Sequence, residues 1–152
     1  MAKRGKESSA PVLWRLLFVL YGALMLWLLL GQRLGTVVYE QNLAESMNLR
    51  PFATMAMYWR LLKSNASPYY IRHAFTNLAG NVILFVPLGW FLPYLFGKLR
   101  GFWKTFLFSI CLLITVETVQ YFTMLGTCDV DDLILNMVGV VFGYLIWRIT
   151  RR

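Results

Sequence analysis

The sequence predicts an all-α integral membrane protein with four transmembrane helices, and three features of the chain support this prediction. Hydrophobic residues make up 59% of the 152 residues and charged residues only 14%, which departs from the composition of soluble domains. Four runs each hold roughly the 20 apolar residues that a helix needs to cross a bilayer. Basic residues flank these runs, so the net charge of +8 indicates membrane topology and not nucleic-acid binding.

A chain of this length is expected to form one membrane domain, residues 1–152. The basic start followed by an apolar stretch resembles a signal peptide. The stretch is long enough to span, however, and no small-x-small cleavage site follows it, so we expect an uncleaved helix. We divide the chain into these segments: a cytoplasmic tail 1–10, spans 11–34, 76–96, 102–123 and 131–148, and an outer segment 35–75.

The distribution of basic residues predicts the orientation of the four spans. An even number of spans puts both termini and the 97–101 loop on one side of the membrane. That side carries ten of the fifteen basic residues: Lys3, Arg4, Lys6, Arg15, Lys98, Arg100, Lys104, Arg148, Arg151 and Arg152. By the positive-inside rule, both termini are therefore predicted to be cytoplasmic.

The outer segment contains an amphipathic pattern. Five residues recur at helical spacing, and the basic residues Arg60 and Lys63 lie off their stripe: the stripe is Phe52, Met55, Ala56, Trp59 and Leu62. This pattern is typical of a helix that lies in the membrane surface with its aromatic face down. A helix that caps the bundle is an equal alternative.

Glu117 is the main candidate for a functional residue because it lies inside the third apolar run. A carboxylate there is unfavourable by several kcal/mol unless it is paired or protonated, and ionisable residues within spans usually mark functional sites. Gln120 follows Glu117 at i, i+3 and shares its face. A protonated Glu117 bonded to Gln120 or Asn136 would be an inert contact, whereas an ionised or proton-exchanging Glu117 would form a site.

Two other spans carry polar residues at the same predicted depth. Asn77 and Asn81 share a face of the second span, and Asp129, Asp132 and Asn136 form a stripe on the fourth. At 1.5 Å per residue, Asn81, Asn136 and Glu117 each lie ~7–9 Å below the outer surface. Gly139 and Gly143 continue the stripe and permit close approach of the helices.

We predict acid or base roles for two carboxylates, Glu117 and Asp132, and ligand binding by Asn77, Asn81, Gln120, Asp129 and Asn136. We expect no metal site and no cofactor, since the sequence has no zinc signature or phosphate loop. The amides have a purely structural alternative, because Asn and Gln commonly join membrane helices at ~0.6–2 kcal/mol each. The acids at 129, 131 and 132 have another, since carboxylates often cap helix N-termini.

The chain resembles the VanZ-like family of small bacterial membrane proteins. The resemblance covers residues 48–143 in order: Asn48-Leu49-Arg50-Pro51-Phe52, Asn77-Leu78-Ala79-Gly80-Asn81, Leu84-Phe85-Val86-Pro87-Leu88-Gly89, Glu117, Gln120, and Asp129-Val130-Asp131-Asp132 through Asn136 with Gly139 and Gly143. It implies a multi-pass protein of the bacterial cytoplasmic membrane that is associated with low-level resistance to teicoplanin-type glycopeptides.

Three functions follow as hypotheses. The first is a non-enzymatic protein whose outward-facing polar pocket binds a membrane lipid or a lipid-linked or lipophilic ligand at the outer leaflet. The second is an enzyme acting on a lipid-linked envelope substrate, with Glu117 or Asp132 as acid or base. Proton-coupled transport is the third, for which four helices form a small frame.

Overall fold

The computed structural model describes residues 12–29, 47–123 and 128–151. In chain order these residues form α1 (Val12–Leu29), β1 (Met47–Asn48), α2 (Ala53–Lys63), α3 (Pro68–Leu95), a 3-10 turn (Gly97–Leu99), α4 (Phe102–Phe122), β2 (Cys128–Asp129) and α5 (Val130–Thr150). Among the described residues, four helices are long and apolar enough to cross a membrane, namely α1, α3, α4 and α5. The prediction of an all-α protein with four spans is confirmed.

Helices α4 and α5 cover the predicted spans 102–123 and 131–148 to within two residues at each end. Helix α3 begins at Pro68, eight residues before the predicted position 76, because proline is favourable in the first turn of a helix, where its missing N–H is not needed. Its 28 residues extend ~42 Å, more than the ~30 Å of bilayer hydrocarbon. The predicted tail 1–10, the last residues of the span 11–34, and residues 35–46 of the outer segment lie outside the described residues.

The helices run antiparallel in turn, as the four-span topology requires. Near the start of α1, the Trp14 ring lies 5.0 Å from Trp90 and 5.6 Å from Tyr94, both close to the end of α3. At the other end of α1, Gln120 of α4 donates to the Leu29 carbonyl at 2.7 Å. We call the end of the bundle with residues 117–123 and 128–132 the acidic end, and the end with residues 93–102 and 144–151 the basic end.

Helices α3 and α5 form the centre of the bundle through glycine contacts. A Cβ atom added to Gly89 would overlap the carbonyl oxygen of Val140, and one added to Gly139 or Gly143 would overlap the carbonyl of Val82 or Val86. The two backbones are thus in direct contact, which only glycine permits at these positions. The close approach predicted from Gly139 and Gly143 is present, and Gly89 extends it from the partner helix.

The buried hydrophobic core lies around this helix pair. Its members are Met25 of α1, Phe85, Leu88 and Leu92 of α3, Leu113 of α4, and Met137 and Val140 of α5. Pro87 lacks the N–H that would bond within α3, and nearby the Tyr21 hydroxyl donates to the Leu84 carbonyl at 2.8 Å. This bond fixes α1 against the proline-containing part of α3.

Helix α2 packs on the acidic end of the bundle, against α3 and the start of α5. Tyr58 is its buried residue, and the Tyr58 ring lies 6.1 Å from the ring of His73 on α3. Phe52 and Trp59, two members of the predicted apolar stripe, are 62% and 57% exposed. The packed face therefore centres on Tyr58, so α2 caps the bundle and leaves an exposed aromatic face.

Candidate functional site

At the acidic end, the residues before α2 lie beside the residues that begin α5. β1 pairs with β2 in parallel, with Met47 opposite Cys128 and Asn48 opposite Asp129. Each strand has only two residues. The pair nevertheless positions the segment before α2 directly beside the acids that begin α5.

Asp131 connects α5 to the N-terminus of α2. Its Oδ1 accepts a hydrogen bond from the Phe52 backbone N–H at 2.5 Å, and its Oδ2 accepts from the Met55 N–H at 2.9 Å. The first N–H groups of a helix have no acceptor within the helix, and a negative charge is favourable there. Asp131 is completely buried. This acid is a structural cap, as the capping alternative predicted, but the helix that it caps is α2 and not its own.

Asp129 accepts hydrogen bonds with both carboxylate oxygens. Oδ1 takes the Asp131 backbone N–H at 2.9 Å and so caps the start of α5. Oδ2 accepts from the Thr54 hydroxyl at 2.6 Å and from Asn48 Nδ2 at 3.3 Å, and Asn48 Nδ2 also donates to Thr54 at 2.8 Å. These bonds account for the position of Asp129, and its ligand-binding role stays a prediction.

Asp132 faces α3, where Asn81 Nδ2 donates to its Oδ1 at 2.6 Å. Asn81 also lies 3.5 Å from Asn77 Oδ1, one helical turn away. The structure therefore brings together three of the predicted residues, Asn77, Asn81 and Asp132, in one row between α3 and α5. The shared face of Asn77 and Asn81 was predicted from their spacing, and the contact of Asn81 with Asp132 was not.

Glu117 lies at the same end and is half-buried, so it does not face lipid fully. Its carboxylate is close enough to the carboxylates of Asp129 and Asp132, and to the Asp129 backbone N–H, to interact with them. Oε2 is buried without a hydrogen-bond partner among the described residues. A buried carboxylate oxygen without a donor is unfavourable, which distinguishes Glu117 from the fully bonded Asp129 and Asp131.

Two predicted site residues take other positions. Gln120 donates to the last carbonyl of α1, so within the described chain its amide joins α4 to α1. Asn136 is buried with its Oδ1 lacking a partner among the described residues, and no hydrogen bond is described between it and Asn81 or Glu117. The side chains predicted to meet across three spans were Asn81, Glu117 and Asn136; in the described chain Asn81 instead bonds to Asp132, and Glu117 lies within electrostatic range of Asp132.

Sequence reasoning assigned no place in the site to four residues that shape it, although two of them, Asn48 and Asp131, lie in the motifs of the family resemblance: the four are Asn48, Thr54, Tyr58 and Asp131. Burial, and then the negative charges of Asp132 and Asp129, raise the pKa of the Tyr58 phenol, which keeps its hydroxyl protonated as a donor. Phe52 has φ 65, a left-handed conformation that aims its N–H at Asp131. The motif Asn48–Phe52 was the sequence feature that pointed to this part of the outer segment. The contacts themselves could not be read from the sequence, because the residues of the outer segment and their partners at the start of α5 are more than 70 positions apart.

The cluster is strongly acidic, and its chemistry is that of a hydrogen-bond acceptor. The hydrogen bonds described to Asp129 and Asp131 come from neutral N–H and O–H groups. Among residues 12–29, 47–123 and 128–151, no group of three His, Cys, Asp or Glu has an arrangement that could hold a metal ion. Glu117 is the described carboxylate whose arrangement suits an external donor or a proton.

Comparison with known proteins identifies relatives of this chain. The VanZ/LLP1 family model matches residues 16–151. Protein VanZ of Enterococcus faecium is 28% identical over 142 residues, which cover 93% of this chain and 77% of that protein. No solved structure matches the chain. Because the family model covers most of the sequence and four helices could span a bilayer, the chain is a multi-pass membrane protein that belongs to the VanZ/LLP1 family.

Proposed function

We propose that the acidic end binds the polar head of a lipophilic or lipid-linked envelope ligand, and that the protein thereby contributes to teicoplanin-type resistance. The matching relative is named Protein VanZ, and the sequence resembles proteins associated with that resistance. On the positive-inside rule the acidic end faces the outer leaflet of the bacterial cytoplasmic membrane, where an envelope-directed glycopeptide acts.

The observation that carries this proposal is the half-buried Glu117 carboxylate with one oxygen lacking a donor. Asp129 and Asp131 also lie in this cluster, yet backbone and side-chain donors satisfy them. Asp132 receives an amide from Asn81. A ligand that brings its own N–H or O–H donors would complete the arrangement at Glu117, and such donors are abundant in sugar and amino head groups.

The chemistry of the surrounding residues favours a ligand with a donor-rich head and an apolar tail. Asn81, Asp132 and Glu117 present acceptor oxygens, and the Tyr58 hydroxyl lies within electrostatic range of the same acids. Phe52, whose N–H bonds to Asp131, and Met57 and Trp59 of α2 are exposed. They provide the apolar surface on which an acyl chain or a lipid tail would lie.

The test expresses variants in a teicoplanin-susceptible bacterium and measures the minimum inhibitory concentration together with the amount of protein in the membrane. We expect Glu117→Gln and Asp132→Asn to lose most of the protection that the wild type confers, at wild-type protein levels. Thr118→Val is the matched control. It is the neighbouring residue, it is exposed, and its hydroxyl bonds only to the Ile114 carbonyl of its own helix. Full protection from both acid variants would refute the proposal.

The nearness of Glu117 and Asp132 favours a second candidate, an enzyme that uses the pair for acid–base chemistry on a lipid-linked substrate. Two carboxylates that interact electrostatically do not ionise equally, so one of them could hold a proton as an acid while the other acts as a base. A comparison of lipid extracts from wild-type, Glu117→Gln and deletion strains separates the two candidates. A lipid-linked species that accumulates in both mutant strains indicates an enzyme, whereas unchanged extracts together with lost protection indicate a binding protein.

A further inference from the structure

The basic end contains a second cleft, which the proposed function does not use. It has a volume of about 710 Å³ and lies between the end of α3, the turn before α4, and the last turns of α5. The residues that line it are Pro93, Tyr94, Arg100, Phe102, Tyr144, Trp147, Arg148 and Arg151. Three of these eight side chains are arginines, and none is acidic.

The arginines converge from two separate parts of the chain. Arg148 and Arg151 come from the end of α5, and Arg100 comes from the turn that leads into α4. The Tyr144 hydroxyl donates to the Arg100 carbonyl at 3.0 Å, which fixes that turn against α5. The Arg151 guanidinium lies 4.2 Å above the Tyr94 ring, an arrangement that orders a cation by attraction to the aromatic face.

A buried donor within the cleft lacks an acceptor. Trp147 Nε1 is buried without a hydrogen-bond partner among the described residues. An indole N–H that is removed from water and left unpaired is unfavourable, and buried Trp residues usually find a partner for it. Three guanidinium groups make the cleft rich in donors for an oxygen-rich anion, and the indole N–H, which neighbouring atoms cover, becomes a fourth donor when the Trp147 side chain turns toward the cleft.

Charge balance supports the same conclusion. In the described chain, the acids Glu117, Asp129, Asp131 and Asp132 all lie at the acidic end of the bundle. The helix ends at the cleft carry partial charges of roughly half a unit each, negative for α3 and α5 and positive for α4. Their sum is about half a negative charge, which is small beside three guanidinium groups. The cleft therefore retains a strong positive potential.

We propose that this cleft binds a phosphate-bearing anion, through bidentate guanidinium contacts and the Trp147 indole N–H. Arg forms paired N–H···O bonds to phosphate that Lys cannot reproduce. Basic pockets between transmembrane helices on the cytoplasmic side are suited to anionic lipid head groups, and a soluble phosphate compound offers the same chemistry. This site is independent of the ligand proposed for the acidic end.

The positive-inside rule also accounts for basic residues at this end, but it requires only their charge. It requires neither their convergence on one cleft nor an unpaired indole. Replacement of Arg by Lys separates the two explanations, since it preserves charge and topology and removes the guanidinium geometry.

The experiment measures phosphatidylglycerol binding to the purified, full-length protein by native mass spectrometry, with phosphatidylcholine of the same acyl chains as reference. We expect wild type to prefer phosphatidylglycerol. The triple variant Arg100→Gln/Arg148→Gln/Arg151→Gln should lose more than about tenfold in affinity for it. The triple Arg→Lys variant should fall between the two. Trp147→Phe, which keeps the ring and removes the donor, should lose roughly threefold.

The matched control removes the same charge from the acidic end, in the variant Arg60→Gln/Lys63→Gln/Arg72→Gln, and should retain wild-type binding. A second arm adds excess inorganic phosphate. Displacement of the lipid identifies a site for soluble phosphate compounds, and undisturbed lipid binding identifies a head-group site. Equal losses in the control and in the arginine variant, or equal binding of both lipids by wild type, would overturn the proposal.

Discussion

Charged residues differ in burial and in hydrogen bonding between the two ends of this bundle. At the acidic end, Asp129 and Asp131 are buried and take hydrogen bonds from the backbone and from small polar side chains. At the basic end, Arg100, Arg148 and Arg151 surround an open cleft that no carboxylate lines. The difference indicates that most acids hold the fold together, whereas the arginines contribute little to it and remain available to another molecule.

This comparison predicts that the largest loss of stability follows from Asp131→Ala. The substitution leaves the N–H groups of Phe52 and Met55 without an acceptor, and hydrogen bonds to a charged group contribute ~1.5–3 kcal/mol each. We expect a loss of about 3 kcal/mol in the free energy of unfolding in detergent. Hydrogen exchange should show faster exchange of the first-turn amides of α2.

Asp131→Asn is the control for this prediction, because it keeps one acceptor oxygen and nearly the same shape. Its loss should be about half as large. If the first-turn amides of α2 exchange at the wild-type rate in Asp131→Ala, then Asp131 does not anchor that helix. The proposed difference between the stabilising acids and the arginines would then be wrong for Asp131.

Removal of the hydrogen bond between Asp129 and Thr54 is expected to lower the free energy of unfolding by a smaller amount. This bond joins the start of α5 to α2 at 2.6 Å. Asp129→Ala also removes the N-cap of α5, so it should cost about 2 kcal/mol. Thr54→Val should cost about 1 kcal/mol. The double variant should show a coupling energy of about 1 kcal/mol. A coupling near zero would mean that the two side chains do not interact in the folded protein.

Cys128 provides a probe of the charge on Glu117. Burial, and then the negative charges of Glu117 and Asp129, raise the pKa of the Cys128 thiol, so less of it is thiolate at pH 8 than in an unfolded chain. Glu117→Gln removes one of these charges and should lower that pKa. Since only the thiolate reacts, alkylation of Cys128 should become roughly twofold faster.

The measurement uses a Cys111→Ser background so that one thiol reacts, and Thr118→Val serves as the comparison. An unchanged rate in Glu117→Gln would indicate that Glu117 is already neutral in the folded protein. In that case the candidate site holds a protonated carboxyl group at Glu117. Glu117 and Asp129 would then be contrasted by their hydrogen bonds and not by a charge on Glu117.

Those features of the acidic end that depend on helix periodicity were predictable from the sequence. Spacing of four places Asn77 and Asn81 on one face, and counting residues from the membrane surface placed Asn81, Asn136 and Glu117 at similar depth. These rules predicted that α3, α4 and α5 carry polar groups at one level and that the glycines of α5 permit its close contact with α3, but they did not predict that Asn81 bonds to Asp132. Hydropathy indicates the four spans, whereas α3 begins at a proline that precedes the apolar run.

The remaining features depend on tertiary contacts that periodicity does not encode. Asp131 looks in the sequence like a cap for its own helix, but its oxygens accept the first N–H groups of α2, including that of Phe52, which lies 79 positions earlier in the chain. Gln120 shares a face with Glu117, yet it bonds to the end of α1. For α2, the hydrophobic stripe predicted a face in the membrane surface or, equally, a face against the bundle; Tyr58, which is not part of the stripe, is the buried residue, and Phe52 and Trp59 are exposed.

We expect the smallest losses in the free energy of unfolding from substitutions of the arginines at the basic end. Arg148 lines the cleft without a described ion pair, so Arg148→Gln should change the free energy of unfolding by less than about 0.5 kcal/mol. Arg151 lies over the Tyr94 ring, and Arg151→Gln should therefore cost slightly more, ~0.5–1 kcal/mol. Detergent unfolding in the absence of anionic lipid measures both. A loss from Arg148→Gln as large as that from Asp129→Ala would show that the arginines also support the fold, because an unpaired cation at an open cleft has no contact whose removal could destabilise the bundle so strongly.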